Sequence, residues 1–188
     1  MPIQEANAAD SLLDRTAIAA CIGGDSQAFE SIVGRYQSRI ARQMWHYTRD
    51  RLEHEMLVQE VFIEAYKSLE GYTGTAPLEH WLARIGARTG YRYWRRKKKD
   101  QAVAEAAAEY WTHRLAGAVE REDPSEAAEC LFDLLKRLSP EDRAVLTCIY
   151  FEACTVEEAA DRLGWNSTLV KVRAFRVRRR LRKWLEEA

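Results

Sequence analysis

Residues 155–176 read TVEEAADRLGWNSTLVKVRAFR, and their pattern decides the character of the chain. Thr155 followed three residues later by Glu158 is a capping box: the hydroxyl takes the backbone N–H of residue 158, and the carboxylate reaches back to the cap. Val156, Ala159, Ala160 and Leu163 then fall on one face of a short helix. Gly164 supplies the positive φ that a sharp corner needs. A longer helix follows from about Ser167 to Glu186, with Val170, Ala174, Val177, Leu181 and Trp184 as its apolar stripe. The small side chains at 159 and 160 let the two helices cross closely, so the spacing predicts a helix-turn-helix.

The second helix is strongly cationic. Residues 171–183 hold Lys171, Arg173, Arg176, Arg178, Arg179, Arg180, Arg182 and Lys183 with no acid. Solubility alone would mix the signs. A one-sign helix that can enter the major groove by its N-terminal end points to duplex DNA. Ser167, Thr168 and Lys171 come first and are expected nearest the base edges. Arg173 and Arg176 can reach a base or a phosphate, while Arg178 to Lys183 are expected on backbone or in solvent. Val172 and Phe175 lie off the buried stripe.

Working back from the motif, Leu131, Leu134, Leu135 and Leu138 have helical spacing. Ser139-Pro140-Glu141-Asp142 starts another helix, with a capping serine, proline in the first turn and two acids beside it. Val145, Leu146, Ile149 and Tyr150 are expected to face inward on it. These elements make a helical domain over residues 126–188.

A second run of cations stands in the first half. Residues 84–99 hold Arg84, Arg88, Arg92, Arg95, Arg96 and Lys97 to Lys99, again without an acid. His80, Arg84, Arg88, Tyr91 and Arg95 form one stripe on a helix whose other face carries Leu78, Trp81, Leu82 and Ile85. Cations beside aromatics (Tyr72 in the preceding loop, Tyr93 and Trp94 nearby) suit single-stranded nucleic acid. On spacing alone Trp81 reads as a core residue. Two further helices precede this one. Phe29, Ile32, Val33, Tyr36, Ile40, Met44 and Tyr47 stripe the first; Val58, Val61, Phe62, Ala65 and Leu69 stripe the second. Met56, Leu57, Ile63 and Tyr66 fall outside that second stripe, beside Gln59, Glu60 and Glu64. They read either as a docking edge for a protein or as a wider buried face.

Residues 20–99 therefore form one helical domain, 100–125 an acidic, alanine-rich linker, and 1–19 an N-terminal extension. The fold class is all-α: two small helical domains joined by the linker. The first residues are acidic and carry no apolar core of a signal peptide, and no run is long enough to span a membrane, so a cytoplasmic protein without membrane insertion is expected. Cys21, Cys130, Cys148 and Cys154 have no CxxC spacing and the four histidines are scattered, so neither a metal nor a cofactor is expected. The chain has no clustered carboxylates and no nucleophile paired with a base, which excludes most enzyme chemistry.

The two halves in this order resemble bacterial RNA polymerase sigma factors of the compact extracytoplasmic-function type. DSQAFESIVGRYQSRI, LVQEVFIEAYKSL and PLEHWLARIGARTGYRYWRRKKK look like that family's region 2, and LKRLSPEDRAVLTCIYFEACTVEEAADRLGWNSTLVKVRAFRVRRRLRKWL looks like its region 4. The resemblance implies promoter-specific initiation, with no catalytic residue in the chain itself. It places Leu57, Val58, Gln59, Glu60 and Phe62 on the β′ clamp helices of core polymerase, and implies the β flap as a further contact on that enzyme. It assigns the melted minus-10 element to Tyr72, Trp81, Arg84, Arg88, Tyr91 and Arg92, and the duplex minus-35 element to Ser167, Thr168, Lys171, Arg173 and Arg176. It implies an anti-sigma factor as a further partner, and a linker threaded through the polymerase. Glu55-Met56 stands where the family carries an acidic pair, and Leu169 and Val172 where smaller polar residues are common. The competing reading is a stand-alone helix-turn-helix regulator with a helical dimerisation or sensing domain.

Overall fold

The computed structural model describes residues 2–110 and 134–186, with side chains from 12 to 102 and from 134 onward apart from residue 185. Every regular element among them is helical. The first half comprises α1 (Pro2–Ile22), α2 (Ala28–Met44), α3 (Arg51–Ser68) with a 3₁₀ turn at Leu69–Gly71, and α4 (Leu78–Tyr110). The second half comprises α5 (Pro140–Leu146), which runs into a π turn at Thr147–Phe151, then α6 (Val156–Leu163) and α7 (Ser167–Glu186).

α2, α3 and α4 pack against one another through the periodic residues. Ile32, Ile40 and Met44 of α2 meet Leu57, Val61 and Ala65 of α3 and Leu78 and Leu82 of α4 in one buried cluster. Asp50 caps α3 by accepting from Glu53 N at 2.9 Å. α1 joins this body through Ala17, Ile18 and Cys21, and its Asp14 pairs with Arg35 at 2.7 Å and accepts from Tyr36 Oη at 2.7 Å. Leu57, which the periodicity placed outside the stripe, is only 2% exposed. α3 is flanked by both α2 and α4, so its buried face is wider than one stripe.

α4 crosses α2 closely because it carries two glycines one helical turn apart. Side-chain carbons at Gly86 and Gly90 would fall 2.3 Å from Gln43 Oε1 and 2.2 Å from the Tyr47 ring. Those two side chains fill the notch that the glycines leave. The Tyr47 ring also lies 4.6 Å from that of Trp94, whose indole N–H donates to Tyr47 O at 2.8 Å. α4 does not break at residue 100, where the acidic segment begins, but continues as helix to Tyr110. The rest of the expected linker, with Cys130 and Leu131, lies outside the described residues.

In the second half the caps take the forms their sequences dictate. Ser139 accepts from Asp142 N at 3.2 Å with Pro140 behind it. Thr155 and Glu158 complete the capping box in both directions. α6 ends in a Schellman motif: Gly164 has φ of 71°, Trp165 N donates to Ala160 O at 2.8 Å, and Gly164 N donates to Asp161 O at 3.1 Å. Ala159 and Ala160 are buried at the crossing with α7, facing Val170 and Ala174. The π turn after α5 shifts the helical register by one residue. Val145 and Leu146, which precede it, point inward as expected, while Tyr150 within it is turned out to 51% exposure.

The two halves share a core. Ala144, Val145, Cys148, Ala159 and Leu163 belong to the same buried cluster as Met44, Tyr47, Ala87 and Trp94. α5 and α6 both lie on α4. Arg143 of α5 sits over the Trp94 ring at 4.2 Å, and burial lowers its pKa to about 10. A smaller cluster of Leu135, Leu138, Leu146 and Val177 holds α5 to α7.

Candidate nucleic-acid interface

α7 presents two different faces. Thr168, Lys171 and Arg176 are exposed, as are Leu169, Val172 and Phe175. Spacings of three and four place Thr168, Lys171, Val172 and Phe175 on one outward stripe. Lys171 pairs with an exposed acid, Glu157 at 3.5 Å, an interaction that water screens. Ser167 is half-buried at the start of the helix, where Asn166 Oδ1 accepts from Thr168 N at 2.7 Å. Arg173 turns the other way: its guanidinium pairs with Asp142 of α5 at 2.7 Å and lies 5.8 Å from the Trp165 ring. A base contact from Arg173 requires that pair to break. Arg180 reaches the same carboxylate at 3.4 Å. The outward face of the N-terminal half of α7 is thus a mixed one, a threonine and two cations beside an apolar strip.

The six residues assigned to the melted strand fall into three groups. Tyr72 and Trp81 come together at the loop before α4, with rings 5.3 Å apart. Tyr72 Oη donates to Ala76 O at 2.6 Å, which ties the loop across its neck. Arg92 is separate, on the α3 side of α4, where it pairs with Glu60 at 3.5 Å and Glu64 at 3.6 Å and donates to Thr89 Oγ1 at 3.1 Å. Arg84, Arg88 and Tyr91 line a third place, against the second half of the chain. Arg84 pairs with Asp161 of α6 at 2.6 Å. Arg88 Nε donates to the Arg162 carbonyl at 3.2 Å. Tyr91 Oη donates to Glu141 at 3.2 Å, with the Trp165 ring edge-on at 5.4 Å. Burial, followed by the Glu141 charge, raises the Tyr91 phenol.

The residues assigned to the polymerase divide by burial. Leu57, Val58 and Phe62 are core residues; Gln59 is exposed and Glu60 half-exposed. Of the exposed apolar residues of α3, Met56 and Ile63, 64% and 52% exposed, lie on the rim of a groove of about 500 Å³ shared with Gln59, Glu60, Arg96 and Lys97, while Leu52 and Tyr66 are exposed outside it. Beneath the groove lies Glu53, which accepts from Lys97 Nζ at 2.8 Å, from Tyr93 Oη and from Thr48 Oγ1. Burial alone would raise its carboxyl, but those donors outweigh burial and hold it below the usual range.

Sequence reading missed one group. Glu152 follows the π turn, and its side chain is 6% exposed. One carboxylate oxygen accepts from Gln43 Nε2 at 3.1 Å and from Tyr47 Oη at 3.5 Å, and the other pairs with Arg162. The only signal was an acid between the apolar runs CIYF and ACTV, which periodicity cannot connect to a partner more than a hundred residues away.

Two family descriptions match the chain: "Sigma-70 region 2" over residues 32–100 and "Sigma-70, region 4" over residues 128–181. The chain is similar to the ECF RNA polymerase sigma-E factor of Haemophilus influenzae, with 31% identity over 90% of this chain and 94% of that one. It is also similar to the RNA polymerase sigma-H factor of Pseudomonas aeruginosa, with 29% identity over 87% of this chain and 89% of that one. Among solved structures, CnrH in complex with the cytosolic domain of CnrY superposes with a TM-score of 0.59 at 21% identity, covering 93% of this chain and 98% of that one. The sigma factor RpoE of Bartonella quintana, in complex with the anti-sigma factor NepR, gives 0.61 at 18% identity, covering 84% and 96%. At such identities the two structures bear on the fold alone.

Proposed function

The chain belongs to the sigma-70 family, in its extracytoplasmic-function group, and directs promoter-specific transcription by RNA polymerase; from that premise we propose how its parts divide the work. The domain of residues 20–99 binds core enzyme and the melted minus-10 element. The domain of residues 126–188 grips the duplex minus-35 element, and the segment between them spans the polymerase. Met56, Gln59 and Ile63, with Leu57, Val58, Glu60 and Phe62 shaping the helix beneath, meet the β′ clamp helices. Thr168, Lys171 and Arg176 contact the minus-35 duplex, and Ser167 sets the start of that helix. Tyr72 and Trp81 frame the place where an unpaired base leaves the stack. Arg84, Arg88 and Tyr91 track its backbone.

The observation that carries this division is that the two acid-free cationic runs lie on two different helices, α4 and α7, one in each matched region. The chain supplies no catalytic group; core enzyme performs nucleotidyl transfer, and the protein works in the cytoplasm where that enzyme is. No helix among the described residues is long and apolar enough to cross a membrane. The solved relatives CnrH and RpoE are each bound to a second protein, in RpoE's case an anti-sigma factor. This chain is held in the same manner by an anti-sigma factor of its own.

A mobility-shift titration tests the division against the stand-alone regulator. The isolated chain is expected to bind promoter duplex weakly and nonspecifically, and to bind specifically once core enzyme is added. Tight binding of the isolated chain to a palindromic site, or no association with core, overturns it.

A further inference from the structure

We propose that Met56 is an oxidation site, at which a peroxide converts the thioether to a sulfoxide and weakens the hold of the chain on core polymerase. This rests on the assignment of the exposed α3 face to the β′ clamp helices.

Burial singles the residue out. The chain has three methionines, Met1, Met44 and Met56. Met1 lies outside the described residues. Met44 is fully buried in the core that α2 shares with α3 and α4, whereas Met56 is 64% exposed. The described cysteines, Cys21, Cys148 and Cys154, are free thiols and all buried. Among the described residues, Met56 is therefore the sulfur most open to a solute. A thiol must also lose its proton before it reacts, and a thioether has none to lose.

The surroundings give the oxidation a consequence. Leu52, Met56, Gln59, Ile63 and Tyr66 recur at steps of four, three, four and three, and all are exposed. That spacing lays them along one face of α3, the seam by which one helix accepts another. Met56 lies inside the seam, one turn from Leu52 and one from Gln59, and it lines the α3 groove together with Leu57 and Ile63. An unbranched, flexible thioether adapts its shape to a partner surface at such a place.

In the reaction the O–O bond of the peroxide breaks and one of its oxygens bonds to Met56 Sδ. The other oxygen leaves as water with both hydrogens. Sulfur loses two electrons and the peroxide gains them. The product is polar and chiral, and a methionine sulfoxide reductase reverses it. Pressed against a partner helix, the new oxygen loses water without a matched donor, so docking is disfavoured.

The experiment treats the full chain with hydrogen peroxide. Peptide mass spectrometry reads where oxygen is added, and a fluorescence titration reads binding to core enzyme. The Met56 peptide is expected to gain one oxygen while the Met44 peptide gains none. Affinity for core is expected to fall on the order of tenfold, about 1.4 kcal/mol, and to return after treatment with the reductase. Met56→Leu, compared with itself before and after peroxide, is expected to show no change, and unaltered melting curves show that the oxidised chain stays folded. Oxygen added first to Met44 or to a cysteine overturns the proposal, as does an equal loss of affinity in Met56→Leu. The underlying assignment fails separately. If charged residues at 56 and 63 weaken core binding and the sulfoxide does not, only the oxidation switch is wrong; if neither weakens it, core enzyme docks elsewhere than on this face of α3.

Discussion

The Tyr47 ring occupies the space that a side chain at Gly90 would need, 2.2 Å from where its first carbon would stand. Tyr47 is 1% exposed and packs on Trp94, so the ring has nowhere to retreat. Gly90→Ala is therefore expected to destabilise the protein by about 1–3 kcal/mol through overpacking. Gly34 is the counter-case: it lies inside α2 with nothing within 4 Å of an added carbon. Gly34→Ala is expected to stabilise by about 0.5–1 kcal/mol through helix propensity. Urea titration of both variants checks the opposite signs; a neutral Gly90→Ala would show that the notch is not tight.

The capping box satisfies the first turn of α6, the helix that opens the helix-turn-helix. Thr155→Ala removes the acceptor for Glu158 N and is expected to cost about 0.5–2 kcal/mol. Glu158 itself is held below the ordinary carboxylate range, chiefly by the Thr155 backbone N–H and then by its hydroxyl. A depressed carboxyl stabilises fully above the unfolded value and loses that contribution as pH falls through the folded one. The difference between wild type and Glu158→Gln in thermal unfolding is thus expected to be constant near neutrality and to shrink on acidification. A difference that grows below pH 4.5 would contradict this account of the cap.

Cys148 and Cys154 are buried thiols whose pKa values burial pushes up, that of Cys154 to about 11. Thiolate is the reacting species, so both are expected to alkylate slowly at neutral pH in the folded protein and quickly in urea. Peptide-level mass spectrometry after iodoacetamide treatment reads each site separately. Rapid native labelling of Cys148 would mean that the shared core opens readily.

Lys171 and Arg173 lie two residues apart on one basic helix and are expected to behave differently. Lys171→Ala leaves stability nearly unchanged and costs about 1–3 kcal/mol at one base pair of the minus-35 element. Arg173→Ala removes the nearer partner of Asp142, which is 8% exposed, and lowers the melting temperature. Melting curves, together with binding to a set of single-base promoter variants in the presence of core enzyme, separate the two. Equal melting temperatures with equal base preference would put both residues in one role.

Local chemistry explains which parts could be read from sequence. The capping box at Thr155, the corner at Gly164, the Ser139-Pro140 start and the buried stripes of α2, α6 and α7 each depend on residues within one or two turns. Their sequence patterns are therefore sufficient. Leu57 and Tyr150 departed from periodicity because a second neighbouring helix and a π turn, neither of them local to the pattern, decided their burial. The interface residues divided in the same way. Thr168, Lys171 and Arg176 are exposed, as a basic helix should show them. Arg84, Arg88, Tyr91, Arg92 and Arg173 each have partners on other helices, and the spacing of cations along one helix carries no information about acids on another.

The most direct test of the account is run-off transcription with purified core enzyme on a library of promoter-sized DNA fragments. Transcripts are expected that require the chain, that start at a fixed distance below a two-part element, and that are lost on changing Met56 and Ile63 of α3 to charged residues while the chain stays folded. Specific transcripts at wild-type level from that variant, or none from the wild-type chain with core bound, would contradict it.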